Sequence, residues 1–143
     1  MLRTRTEYLT FHTKERMAIV NITAQIVDIV RKSGVRDGAC LINAMHTTSS
    51  VLVSDDENGL RADLLKFLEL IHAQDRSGRA GRTGVLDPHH DNMDAHLLHH
   101  VFGRDVLVAV TDYRLDLGPW EQVYYGEFDG MRPKRVLVKA FGV

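Results

Sequence analysis

The sequence predicts an α+β fold, with one mainly antiparallel sheet system that carries helices on a face. Stretches with the 3.6-residue period of a helix stand among shorter apolar runs rich in β-branched residues, which are typical of strands. The last three predicted strands have connections too short for a parallel crossover, so we expect them to be adjacent antiparallel neighbours. The chain shows no internal repeat and no linker, which predicts a single domain over residues 1–143.

The first part of the chain predicts a strand, a helix and further strands. Residues 2–12 mix Thr, Tyr, Leu and Phe with frequent charges, as an exposed or edge strand does. The next helix ends at Gly34, and its apolar stripe is Ile22, Ile26, Ile29 and Val30. The apolar run 38–45 predicts a buried strand, and the run 51–53 belongs either to a second strand beyond a junction or to the same strand after a bend.

Two more helices and three more strands are predicted downstream. Leucines at helical spacing follow the acidic stretch 54–57, which suits a helix N-terminus. A shorter helix is expected from about Asn92 to Val101, ended by Gly103, with Met93, Leu97 and Val101 as its apolar stripe. Strands are expected at 105–110, covered on both faces, at 120–129 and at 134–141. Trp120 is interpreted as an anchor of the core or of a subunit interface.

Composition narrows the class of function. A formal net charge of -1 and a pI near 6.7 argue against a nucleic-acid-binding protein, which needs a clustered basic excess. No segment approaches the length of a membrane span and no apolar leader begins the chain, so the sequence predicts a cytoplasmic protein with no membrane partner. The single cysteine, Cys40, sits in an apolar run and is expected to be a buried hydrophobe. Small-molecule chemistry is therefore the favoured class.

Two polar segments are candidates for that chemistry. His46 ends a buried strand and is followed by the hydroxyls of Thr47, Thr48, Ser49 and Ser50. Such groups can donate hydrogen bonds to an oxyanion or a phosphate, although Thr and Ser also simply fit a sheet. Five of the eight histidines fall within residues 87–100, where His96 and His100 stand one helical turn apart. Two such imidazoles can share a metal ion, and a solvated polar helix face explains them equally.

These segments carry a resemblance to a known family. His46-Thr47-Thr48-Ser49-Ser50, Asp91 to Leu97, Gly118 to Gln122, Gly126 to Gly130 and Arg132 to Arg135 occur in the order found in the YjbQ family. Members of this family are small proteins often labelled secondary thiamine-phosphate synthases. The resemblance implies a sandwich-like α+β fold, assembly as a homotrimer and a polar site that carries a divalent metal ion, zinc or magnesium.

The resemblance also implies site residues. It points to His46, His96 and Glu127, with His89 or His90 as a further histidine ahead of the helix. The chain departs from the family in two places. Ser54-Asp55-Asp56 replaces Asn-Glu-Asn, and Glu57 stands where some members have a cysteine, so no mechanism can use that cysteine. His99 and His100 fall where members usually have non-ligand residues, which favours His96 with His46 as the metal ligands.

Three functions follow as hypotheses. In the first, the protein is a metal-dependent enzyme that couples a pyrimidine pyrophosphate to a thiazole phosphate, and the metal neutralises the leaving oxygens. His46, His96 and His90 would then hold the metal, Asp55 and Glu127 would bind or orient its ligands, and phosphate would be bound by Thr47, Ser49, Arg132 and Arg135. In the second, Glu127 or Asp55 is the base of a metal-assisted hydrolase. In the third, the protein is a non-catalytic trimer that binds a small anion or acts as a scaffold.

Overall fold

The computed structural model describes residues 1–76 and 92–143. In chain order the elements are β1 (Arg3–Phe11), β2 (Ala18–Asn21), α1 (Thr23–Ser33), β3 (Asp37–Ala44), β4 (Ser49–Asp55), α2 (Asn58–Arg76), α3 (Met93–Phe102), β5 (Asp105–Thr111), β6 (Arg114–Leu115), β7 (Glu121–Glu127) and β8 (Lys134–Gly142). The α+β prediction is confirmed, and the first predicted strand and helix match β1 and α1 within one residue at most ends. Among the described residues, no helix is long and apolar enough to cross a membrane.

The strands form two antiparallel sheets. The larger sheet has the order β1-β8-β3-β5-β6, and the smaller one has the order β2-β7-β4. Strand β1 lies at an edge of the larger sheet, as its charged alternation predicted. The hydroxyl row after β3 is a junction, because β3 and β4 belong to different sheets. That junction carries His46 to the place where the sheets meet.

The expectation that the last three strands are adjacent neighbours is wrong. Strand β5 pairs with β3, β7 pairs with β2 and β4, and β8 lies between β1 and β3. The turn after β7 leads from the smaller sheet to the larger one instead of closing a hairpin. This turn packs against the segment before β2: the Gly130 N–H donates to the Arg16 carbonyl at 2.9 Å, and the Met131 N–H donates to the Thr13 carbonyl at 2.9 Å. Two strands that are joined by a short connection therefore need not pair with each other.

The smaller sheet is buried on both faces. One face joins α1 and the larger sheet in the main apolar core, which includes Ile26, Ile42, Val51, Val123 and Val138. The other face packs against α2 and α3 in a second cluster, which includes Leu68, Ala95, Leu98, Tyr124 and Phe128. Adjacent residues of β7 consequently face different cores, with Tyr125 in the first and Tyr124 in the second.

Three burial predictions need correction and one is confirmed. Strand β5 is covered on one face only, since Leu107 is 64% exposed. Among residues 1–76 and 92–143, no helix packs on the outer side of that sheet. Trp120 is 72% exposed and does not anchor the core of this chain, because it lies in the turn before β7. Helix α3 begins after Asn92 and ends before Gly103 as predicted, but its buried face differs, as described below. Cys40 is fully buried, as predicted.

Helix α3 buries Met93, Asp94, Ala95 and Leu98, whereas Val101 is 64% exposed. The face of α3 that packs is therefore rotated about the helix axis from the stripe predicted from Met93, Leu97 and Val101. Ala95 and Leu98 lie against the smaller sheet, and Asp94 is buried because Arg16 pairs with it. This rotation brings His99 toward strand β4, which matters for the site.

Candidate functional site

A fully buried polar cluster lies where the two sheets meet. The Lys134 ammonium, at the start of β8, donates to the carboxylate of Glu127, at the end of β7, and both side chains have 0% exposure. The Tyr125 hydroxyl donates to Glu127 Oε1 at 2.8 Å, and the Asp129 N–H donates to Oε2 at 3.2 Å. Lys134 also donates to Thr48 Oγ1 at 2.7 Å. Both charged side chains are thus hydrogen-bonded to polar groups of neighbouring residues.

Strand alternation explains why Lys134 points inward. Lys134 shares its face of β8 with Val136, Val138 and Ala140, all of which are buried in the main core. Burial lowers the pKa of Lys134, while the Glu127 carboxylate acts in the opposite direction. Burial and the Glu127 charge both raise the pKa of Tyr125, which keeps its hydroxyl a hydrogen-bond donor.

His46 lies next to this cluster at the mouth of an open cleft. The cleft has a volume of about 320 Å³ and is lined by Ala44, Met45, His46, Thr47, His99 and Arg104. Partial burial lowers the pKa of His46 from its ordinary value of 6.5, and the positive charges of Lys134 and Arg132 lower it further, with Glu127 opposing them. The lowered pKa keeps His46 mainly neutral near pH 7, and the positive charges of Lys134 and Arg132 attract anions to this part of the cleft.

His99 enters the same cleft from α3. Its Nδ1 lies 2.5 Å from the carbonyl oxygen of Ser49, the first residue of β4. A carbonyl oxygen can only accept a hydrogen bond, so Nδ1 carries the proton. The sequence argument set His99 aside in favour of His96, which is half-buried three residues earlier on the helix. The structure places His99, and not His96, in the lining of the cleft beside His46.

The arginines are arranged differently from the prediction. Arg104 lines the cleft and was missed, although its position directly after the helix-ending Gly103 was a usable signal. Arg132 donates to Asp129 Oδ2 at 2.9 Å and is more than half exposed. Arg135 lies on the face of β8 opposite to Lys134, with its guanidinium 4.9 Å from the centre of the Tyr8 ring. Arg104 is thus better placed than Arg135 to meet a ligand in the cleft.

Helix α3 is tied to the turn that carries Glu127. Asp94 accepts two hydrogen bonds from the Arg16 guanidinium, at 2.8 and 2.9 Å, and its side chain is only 1% exposed. Asn92 Nδ2 donates to Asp129 Oδ2 at 3.0 Å. These contacts hold the start of α3 against Arg16, which precedes β2, and against the β7–β8 turn.

A larger cleft, of about 550 Å³, lies between α1 and β6 and is lined mainly by apolar side chains such as Val27, Val30, Leu115 and Leu117. It has no buried ion pair and no histidine in its lining. Since chemistry needs polar groups held in place, the smaller cleft at His46 is the candidate site.

A model of the family described as UPF0047 protein YjbQ-like matches residues 7–143. The chain belongs to the YjbQ-like UPF0047 family. A UPF0047 protein of Archaeoglobus fulgidus is 37% identical over 132 residues, which are 92% of this chain and 98% of the relative. The UPF0047 protein YugU of Bacillus subtilis is 28% identical over 136 residues, which are 94% of this chain and 97% of YugU.

Solved structures agree with the family assignment. A YbjQ-like protein of unknown function from Sulfolobus solfataricus P2 superposes with a TM-score of 0.88 at 27% identity, and the match covers 100% of both chains. A hypothetical protein from Aeropyrum pernix K1 superposes with a TM-score of 0.80 at 25% identity, over 94% of this chain and 96% of the other. The family resemblance read from the sequence and the fold that it implied are both confirmed.

The residues that the YjbQ-like motifs implied are only partly brought together. Glu127 and His46 share the site, but Asp55 lies at the other end of β4. Ser49 pairs with Glu127 and Asp55 pairs with Glu121, and six residues of strand span about 20 Å. Asp55 and Glu127 therefore do not meet within one chain, contrary to the expectation that they act together.

The predicted phosphate-binding hydroxyls also have separate roles. Thr47 is exposed in the lining of the cleft, where it can meet a ligand. The Ser49 hydroxyl is buried and donates to the His46 carbonyl at 3.3 Å, so it holds the turn in shape. Thr48, which the prediction did not single out, binds Lys134. The sequence identified the right segment but not the right hydroxyl for each task.

The metal site implied by the family has an incomplete set of donors among residues 1–76 and 92–143. His90 lies outside these residues, and within them no three His, Cys, Asp or Glu side chains are grouped as a metal ion requires. Glu127 already accepts hydrogen bonds from Lys134, Tyr125 and the Asp129 N–H. The described donors are too few for a metal centre by themselves, so a complete site would need a further donor such as His90.

Proposed function

We propose that this protein is an enzyme that acts on a small phosphorylated molecule at the His46 cleft. The observation that carries the proposal is the lining of the cleft, where Arg104 lies with His46 and Thr47. Burial lowers the pKa of His46, and the positive charges of Lys134 and Arg132 lower it further. Burial disfavours a charge of either sign, but these positive charges attract an anion. The reaction that the family label suggests couples a pyrimidine pyrophosphate to a thiazole phosphate and expels pyrophosphate.

The residues of the cleft have chemically distinct tasks in that reaction. Arg104 lies in the lining and can bind phosphate oxygens through its planar guanidinium. Lys134 is fully buried, so it acts through its charge, fixed by Glu127 and Thr48, and stabilises negative charge that develops on a leaving group. The thiazole nitrogen that forms the new bond carries no proton, so the coupling step needs no base. Neutral His46 can instead donate a hydrogen bond from its ring N–H to the pyrophosphate that leaves. Thr47 can donate a hydrogen bond to the bound phosphate.

Metal dependence is the second part of the proposal. The predicted ligands are His46, His96 and His90, an imidazole set that suits zinc better than magnesium, which prefers oxygen ligands. Metal analysis of protein purified without chelator tests it. We expect about one zinc per chain, lost in His46→Ala and in His96→Ala with the fold intact. No zinc in the wild type after added zinc chloride contradicts the metal part and leaves the cationic cleft in place.

The experiment that tests the enzyme proposal is a turnover assay with a hydroxymethylpyrimidine pyrophosphate and a thiazole phosphate. We expect coupled product from the wild type, and a loss of at least about tenfold in kcat/KM for His46→Ala and for Arg104→Ala. Arg114→Ala is the matched control, because Arg114 pairs with Thr111, at the opposite end of β5 from Arg104. Equal losses in all three variants contradict the assignment of the cleft.

Two other outcomes of the same assay decide between functions. Release of pyrophosphate without coupled product would replace the synthase proposal with a hydrolase. Binding of both phosphates without turnover would replace it with a non-catalytic anion-binding protein. Assembly as a homotrimer and a cytoplasmic location are further predictions; light scattering on purified protein tests the first, and fractionation of cells tests the second.

A further inference from the structure

His99 is held in a specific orientation by the strand next to its helix. It lies in the last turn of α3 (Met93–Phe102), and its Nδ1–H donates to the Ser49 carbonyl at 2.5 Å. The ring also lines the cleft with His46 and Arg104. With Nδ1 committed to the strand, Nε2 lies on the opposite edge of the ring.

Nothing in the chemistry proposed above uses His99. A surface histidine with only a packing role does not need a fixed tautomer and a place in a cationic cleft. An imidazolium has two N–H donors, and the strand uses only one of them.

We infer that His99 is a further ligand-contacting residue of the cleft and that it binds a phosphate oxygen through Nε2–H, beside Arg104 and across from His46. This inference rests on the proposed function, because that proposal assigns a phosphate to the cleft. Phosphate binding then draws a proton onto His99.

Several described groups surround His99 and influence whether it takes up that proton. His46 and Arg104 share the cleft with it, and its own helix carries His96 and His100, whose ring centre is 5.6 Å from that of His99. Strand β4 contributes the Ser49 carbonyl. A bound phosphate adds negative charge beside these groups, and that charge attracts a proton. We therefore expect proton uptake when the anion binds.

The chain offers a discriminating pair of variants. His99→Asn keeps a donor at the Nδ1 position for the Ser49 carbonyl but removes Nε2. His100→Asn makes the same change at the neighbouring, exposed histidine, which does not line the cleft. Both are compared with the wild type in calorimetric titrations with inorganic phosphate near pH 7, in two buffers with different ionisation enthalpies, so that proton uptake is measured together with affinity.

We expect the wild type to bind phosphate with uptake of protons, and His99→Asn to bind about tenfold or more weakly with reduced uptake, as for loss of a charged hydrogen bond. His100→Asn should match the wild type. Unchanged binding by His99→Asn overturns the inference and leaves the enzyme proposal standing if Arg104→Ala still weakens binding. No phosphate binding by the wild type overturns the inference and the phosphate assignment together.

If His99→Asn does not fold, a measurement on the wild type alone still tests the inference. The ring signals of His99 are followed by NMR with and without inorganic phosphate at a fixed pH near 7. The inference expects the imidazole to shift toward its charged form when phosphate is added. A His99 signal that does not respond, while other residues of the cleft do, overturns it.

Discussion

Lys134 and Glu127, seven residues apart in the chain, form an ion pair in which neither side chain reaches solvent. Removing two charges from water costs several kcal/mol per ion, and their attraction offsets that cost only when the remaining polar atoms are hydrogen-bonded. Here Tyr125, Thr48 and the Asp129 N–H supply those bonds. The pair is therefore stable as a unit and costly to break.

Breaking the pair from one side should destabilise the protein strongly. We expect Lys134→Met to lower the free energy of unfolding by about 3–5 kcal/mol, because it leaves the Glu127 carboxylate buried without its partner. Urea denaturation measures this loss. The matched control is Lys139→Met on the exposed face of the same strand, which should change stability little.

Removing both charges should cost less than removing one. The double variant Glu127→Gln, Lys134→Met leaves no unpaired charge, so we expect it to recover a large part of the stability that Lys134→Met loses. A double variant that is less stable than either single variant would show that the pair is not an energetic unit. The same variants link the pair to function, because Lys134→Met should also raise the pKa of His46.

His46 should make stability depend on pH in a defined direction. Its pKa is lowered in the folded protein from the ordinary 6.5, so below that pH the unfolded chain binds more protons than the folded one. The stabilising contribution is therefore complete above about pH 6.5 and is lost as the pH falls through the lowered pKa. We expect the urea midpoint of His46→Asn to change less between pH 5 and 7 than the urea midpoint of the wild type does. A steeper pH dependence in the variant would contradict this.

Two glycines should respond in opposite directions to alanine. A Cβ at Gly38 would lie 2.1 Å from the Phe141 carbonyl oxygen, in the backbone of the adjacent strand, which cannot move without breaking the sheet. A Cβ at Gly59, in α2, meets nothing within 4 Å. We expect Gly38→Ala to lower the free energy of unfolding by about 1–3 kcal/mol or more, and Gly59→Ala to raise it by up to about 1 kcal/mol. Thermal denaturation of both variants provides the comparison.

Cys40 should be chemically inert in the folded state. Its burial raises the pKa of the thiol to about 12, so almost no thiolate forms near pH 8. We expect no labelling by iodoacetamide in native buffer at pH 8 and complete labelling in 8 M urea, measured by mass spectrometry. Rapid labelling of the native protein would show that the strand around Cys40 opens readily.

The sequence was sufficient for the local elements of the fold. The Ile22-to-Val30 stripe and Gly34 define α1 because helix period and a left-handed C-terminal residue are local properties. Strand pairing was not predictable in this way. Each late strand had several possible partners, and the choice of β3 for β5, and of β1 and β3 for β8, depends on which cores the two sheets fill together.

The sequence predicted the central residues of the candidate site but not the other residues that build it. His46 and Glu127 were identified from motifs. Lys134, which lies between Arg132 and Arg135 in the sequence, was overlooked. It stands an even number of residues from Val136 and Val138, and this spacing along a strand indicates an inward side chain. His99 was set aside because it falls where family members usually have non-ligand residues, and the phase of α3 taken from Met93 and Val101 gave no sign that it faces the site. The true phase depends on the sheet beneath the helix and on the buried Asp94, and neither is visible in the helix sequence alone.

The position of β8 between β1 and β3 has a consequence for biosynthesis. Arg3 pairs with Gly142, so β1 has no partner in the larger sheet until β8 has been translated. Strand β3 can pair with β5 earlier, but β1 and β3 lack the strand that joins them until then. Pairings between residues so far apart in the sequence form slowly, so β1 and β8 are expected to join the larger sheet late in folding.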